Sequence, residues 1–105
     1  MIKDMSAGGN IEIVDSGKII IVNSASNQTL VLPAMTTINE GFNIMIIKLG
    51  AGRVTVTAPS GSTIDDSVTS GGTIYCADTQ QARLDIIMPV AGKFVTSGTN
   101  TWTTT

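Results

Sequence analysis

Apolar residues in this chain come in short runs separated by turn clusters. Nowhere do they recur at i, i+3, i+4 and i+7 over a length that would build a helix. The spacing instead predicts about nine or ten short strands. They cover 11–14, 18–23, 29–32, 42–49, 53–57, 63–64, 73–77, 83–88, 93–96 and 101–103. Asp15-Ser16-Gly17, Pro59-Ser60-Gly61, Asp65-Asp66 and Gly71-Gly72 supply turns between them. Pro33 ends the third strand, because it has no N–H for a sheet interior. The stretch 34–41 reads as an irregular or one-turn helical connection. Gly50-Ala51-Gly52 reads as a hairpin turn whose glycines supply positive φ. These features predict a single all-β domain over 11–105, a small antiparallel sandwich or barrel-like fold. Residues 1–10 precede the first predicted strand and read as a short N-terminal arm.

Two segments depart from simple alternation. In KIIIVN (18–23) and FNIMIIKL (42–49), apolar side chains fall on both faces of the strand. One face can line the domain's own core, whereas the other face of a small antiparallel sheet ordinarily reads polar. Either neighbouring segments cover both sides, or the second face packs against another copy of the chain. A chain of 105 residues has little material to cover both, which favours the copy. Ile19, Ile21, Ile44 and Ile46 are therefore the expected self-association residues, joined by Trp102 near the end of the chain. For Trp102 the alternative is that it closes one end of the core.

Composition sharpens this picture. Hydrophobic residues make up 42% of the chain but charged residues only 13%, against about 25% in ordinary soluble domains. The surface must then be built from Thr, Ser, Asn, Gln and Gly, which do not repel an identical surface. Net charge is −2, and Lys3, Lys18, Lys48, Arg53, Arg83 and Lys93 are scattered, so no nucleic-acid footprint is drawn. No run approaches the ~18 apolar residues of a membrane span, and MIKDMSAGG has no apolar core of a secretion signal. Neither nucleic acid nor membrane is an expected partner, and synthesis in a cytoplasm is expected.

Candidate chemistry is sparse, and an enzyme is not expected. The chain has no histidine, which removes imidazole acid–base catalysis and histidine metal sites. Cys76, the sole cysteine, lies in the apolar run TIYCA and reads as a small buried hydrophobe rather than a nucleophile. Asp65, Asp66, Asp78 and Asp85 are the acidic candidates, but adjacent aspartates in a bend usually bond their own backbone. No metal or other cofactor is predicted from them. Gly50-Ala51-Gly52 precedes a strand, so it offers no helix N-terminus to a phosphate. Tyr75 and Trp102 are the only candidates for a stacking contact with a glycan or receptor.

The order of these elements resembles β modules of bacteriophage tail fibres and other virion surface proteins. The resemblance lies in GKIIIVNSASNQTLVLP running to its LP turn, then LPAMTTINEGFNIMIIKLGAGRVTVTAPSGSTIDDS with its Gly-led strand, Gly-rich turn and P-x-G-x-T-I element. The closing GTNTW is similar to the family's G-T-N-W ending, so the likeness runs from about Gly9 to Trp102. Asp66 stands where the family often has glycine, and aspartate tolerates the same left-handed backbone. The resemblance implies a non-enzymatic homotrimer on the virion, with the major capsid protein or other virion proteins as partners. Such modules usually follow an attachment region and a shaft. Here the first strand lies near Ile11, so a capsid decoration (cement) protein is expected, docking through the arm residues Met1, Ile2, Lys3 and Met5. The alternative is a short tail-fibre or tail-tip subunit that binds the host surface, with a surface glycan as its ligand.

Overall fold

A computed structural model describes residues 1–34, 39–65, 71–79, 81–99 and 101–104. Eleven strands form among them: β1 Ile2–Asp4, β2 Gly9–Asn10, β3 Ile19–Val22, β4 Gln28–Val31, β5 Asn43–Lys48, β6 Val54–Thr57, β7 Thr63–Ile64, β8 Thr73–Cys76, β9 Ala82–Val90, β10 Lys93–Gly98 and β11 Thr103–Thr104. The segment expected to be a strand over 11–14 instead carries a 3-10 turn, Ile13–Asp15. Within it Glu12 N–H donates to Asp15 Oδ2 at 2.9 Å, a side-chain bond that competes with strand pairing. No α-helix occurs among the described residues.

The chain is all-β and has two facing sheets, as the spacing of turns predicts. One sheet runs β1-β3-β5-β9-β10-β7 and the other β11-β8-β6-β4-β2. The expected antiparallel pairing is corrected by the register. From β1 to β6 the chain alternates between the two sheets, and successive passes stack in parallel: β1 on β3 on β5, and β2 on β4 on β6. This half is a short coil of three turns. The remaining strands close it, with β9 antiparallel to β5 and β8 antiparallel to β6. The doubly apolar runs are the mark of parallel strands, which are usually buried on both faces.

Gly50-Ala51-Gly52 is accordingly not a hairpin, since β5 and β6 belong to different sheets. Nor do its glycines have positive φ, unlike Gly8, Gly17 or Gly41. Their role is space: a Cβ on Gly50 would collide with the Ser24 backbone, and one on Gly52 with the backbone of Ser26. The corner of the third turn lies directly against the corner of the second, where Gly52 N–H donates to Ser24 carbonyl oxygen at 2.9 Å.

Residues 1–10 do not stand off as an arm. Ile2–Asp4 and Gly9–Asn10 form the first turn of the coil, and Met5 is buried in the core. Lys3 reaches across to Asp15 at 2.8 Å, and Lys18 meets the same carboxylate at 3.0 Å. Burial by itself would raise the Asp15 pKa, but the bonds from Lys3, Glu12 N–H and Lys18 outweigh it and lower it from 3.8 to about 2. A depressed carboxylate stabilises the fold above its unfolded pKa and loses that contribution as pH falls through the folded value. Between about pH 4 and pH 2 the chain should lose roughly 2 kcal/mol from this group. Urea titrations at pH 5 and pH 2 measure the loss, and Asp15→Asn should flatten it.

The core lies between the sheets and draws on every long strand. Ile20, Val22, Ile44, Ile46, Leu84, Ile86, Met88 and Phe94 face inward from the first sheet, and Leu30, Val54, Val56, Ile74 and Cys76 from the second. Lys48 shares this inward parity and is fully buried, donating to the carbonyl oxygens of Gly50 and Asp78. Pro89 fits inside β9 because the β9–β10 register shifts there, a bulge that relieves the missing N–H.

Candidate self-association surface

Alternation along each strand of the first sheet leaves a second, outward face. Side chains on it line up in rows set by the register. The middle row runs Ile2, Ile19, Met45, Asp85, Ser97 from β1 to β10. Beside it run Asp4, Ile21, Ile47 and Arg83 on one side, and Asn43, Ile87 and Val95 on the other. Ile2 (66% exposed), Ile87 (49%) and Val95 (51%) are open to solvent, while Ile19, Ile21, Met45 and Ile47 are half-covered by their neighbours. The apolar face spans five strands, about 20 Å across at ~4.8 Å per strand.

The face of the second sheet is different in kind. Its outward rows are Thr29, Thr55, Tyr75 and Thr103, then Val31, Thr57 and Thr73. Arg53 lies over the Tyr75 ring at 4.6 Å, occupying the face a stacking ligand would use. This hydroxyl surface is well suited to water, whereas the first sheet's outer face is not.

Of the residues expected to mediate self-association, Ile19 and Ile21 lie on the apolar face and Ile44 and Ile46 do not. Ile44 and Ile46 point into the core, at 4% and 0% exposed, so Met45 and Ile47 take their place outside. Trp102 packs against the core at the β10 end, close to Gly98, so it closes the core. The expected arm residues also separate. Met1 and Ile2 are exposed, Lys3 is held by Asp15, and Met5 belongs to the core.

No protein-family model and no curated protein matches this chain.

The remaining candidates do not converge. Asp65, with φ of 54°, accepts from Thr96 N–H at 2.7 Å and from the Thr96 hydroxyl. Asp78 accepts from Thr101 N–H at 3.0 Å and lies 3.6 Å from Cys76 Sγ. Asp66 lies outside the described residues. No group of three or more metal-ligating side chains occurs among the described residues. Burial raises the pKa of the Cys76 thiol, which keeps it protonated and unreactive. No helix among the described residues is long and apolar enough to cross a membrane.

Met45, Ile47, Arg83, Asp85, Ile87 and Val95 were not among the expected surface residues. Alternation in ARLDIIMPV does place Arg83, Asp85 and Ile87 on one side of β9. The charges at Arg83 and Asp85 mark that side as the outward one, but nothing in the pattern sets Met45 and Ile47 beside it.

Proposed function

We propose that this chain is a non-enzymatic structural module of a bacteriophage virion that works by associating with copies of itself. The observation that carries the reading is the apolar outer face of the first sheet, over which no further strand or layer packs among the described residues. Burying apolar area stabilises an assembly by about 25 cal/mol per Å² before the costs of association. The scarcity of charge supports the same reading, because like copies meet with little repulsion. The phage resemblance supports a homotrimer on the particle surface, and within that setting we assign the module to capsid decoration, strengthening the head.

The wild-type protein should sediment as an oligomer at micromolar concentration. Ile47→Glu, in the middle of the apolar face, should weaken association by 100-fold or more and leave far-UV circular dichroism unchanged, since Ile47 lies outside the core. A wild-type protein that sediments as a monomer up to about 1 mM would sink the reading. Decoration is tested separately. The assembled protein should bind expanded phage capsids and raise their resistance to heat, and Ile47→Glu should do neither. Binding to host cells or cell-wall glycan without binding to capsids would move the assignment to a tail fibre. Deleting residues 1–9 is not a test of docking, because it removes the first turn of the coil.

A further inference from the structure

One feature of the apolar face is out of keeping with it. Asp85 sits in the middle row, with Met45 as its direct neighbour on β5 and Ile87 on the same side of β9. Its Oδ1 is shielded from solvent and has no hydrogen-bond partner. Arg83, two residues along the same strand, approaches only Oδ2, with Nε at 3.8 Å, too long for a hydrogen bond. The outward positions of β3 and the inner part of β5 carry no charge at all (Ile19, Ile21, Met45, Ile47).

We propose that Arg83 and Asp85 set the register of self-association, with the Arg83 guanidinium of one copy donating to the open Oδ2 side of the Asp85 carboxylate of its neighbour. This rests on the self-association reading and names its contact. The occupant is a second copy because the face is complementary to itself. It offers a cation and an anion side by side on one strand, about 7 Å apart at two residues' rise. A symmetry axis passing near Leu84 brings each Arg83 to the other copy's Asp85. An apolar partner without a donor would leave the covered carboxylate only its own Arg83 at 3.8 Å, too long for a hydrogen bond, and a carboxylate buried so poorly paired is unfavourable. The same carboxylate therefore rejects copies docked out of register. A ring of three satisfies the contact equally, each copy giving Arg83 to the next.

The test uses two charge-reversal variants of the full chain. Asp85→Arg carries two cations on the face and Arg83→Asp two anions, so each alone should associate at least about 100-fold more weakly than wild type. Mixed one to one, they should recover hetero-oligomers, because each then meets its opposite. Sedimentation velocity reads all three samples, and far-UV circular dichroism checks that each variant is folded. If either reversal leaves the chain unfolded, Asp85→Asn and Arg83→Gln replace it. Each should then weaken association about 10-fold and remove most of its dependence on salt. Variants that associate as tightly as wild type, or a mixture that stays monomeric, overturn the register pair while leaving the apolar face as the interface. A monomeric wild type overturns the self-association reading instead.

Discussion

Replacing Gly52 by alanine is expected to lower unfolding free energy by about 3 kcal/mol or more, the upper end of what overpacking costs. At ordinary positions with negative φ the same change stabilises by about 0.4–1 kcal/mol, because the unfolded chain has fewer states to lose. Gly52 does not have positive φ, so backbone conformation alone would permit alanine. The added methyl, however, would overlap the carbonyl of Ser26 in the turn of the coil beneath it. Relief requires the third turn to lift away from the second, which disturbs the β4–β6 ladder beginning at Gln28 and Val54. Urea denaturation at fixed protein concentration measures the loss. Ala51→Ser, one residue away and exposed, should fall within about 0.5 kcal/mol of wild type. If Gly52→Ala were as stable as Ala51→Ser, the close stacking of the two corners would be wrong.

Phe94→Ala should cost about 3–5 kcal/mol, as expected for a phenylalanine removed from a packed core. Phe94 is 1% exposed and lies on β10, paired in parallel with Ile64 of β7 and bounded by the bulge in β9. A bulged strand held by backbone bonds on both sides collapses poorly onto a void, so most of the cavity term should persist. Against a total stability of roughly 5–15 kcal/mol for a domain of this size, the variant should melt at least 10 °C lower. Val95→Ala is the comparison, because Val95 is adjacent but faces outward. It should lose less than about 1 kcal/mol. Equal losses for the two variants would mean that the inward and outward faces of β10 have been exchanged.

Much of the architecture was legible in the residues. The runs at 18–23, 42–49, 53–57 and 73–77 each contain a strand of the structure and 29–32 overlaps one, since β-branched residues between turn clusters have few alternatives. The pairing of those strands was not legible. Alternation fixes which side a residue takes but says nothing about the direction of the neighbouring strand. In FNIMIIKL both parities are apolar, so Ile44 and Ile46 could not be told from Met45 and Ile47 until the neighbours were known. Lys48 shows how the balance falls. Its charge argues for the outside, yet its parity takes it inward, where two carbonyl oxygens receive its ammonium. The strands at 2–4 and 9–10 are too short to leave a periodic signal, and they exist because the second turn of the coil offers them a template. Alternation puts Arg83 and Asp85 on one side of β9, but only the pairing with β5 sets them beside Met45 and Ile47.

The stacking of the third turn on the second has a further consequence for how such a molecule varies. Met45 lies opposite Ile19 and Val54 opposite Gln28, an offset of 26 residues in both sheets. One circuit of the chain is thus a unit of height, adding about 4.8 Å. Inserting or removing a circuit would change the thickness of the body in steps of that size, while the antiparallel cap at one end and the open first turn at the other stay as they are. Height, in a protein built this way, is a number that can be counted out in the gene.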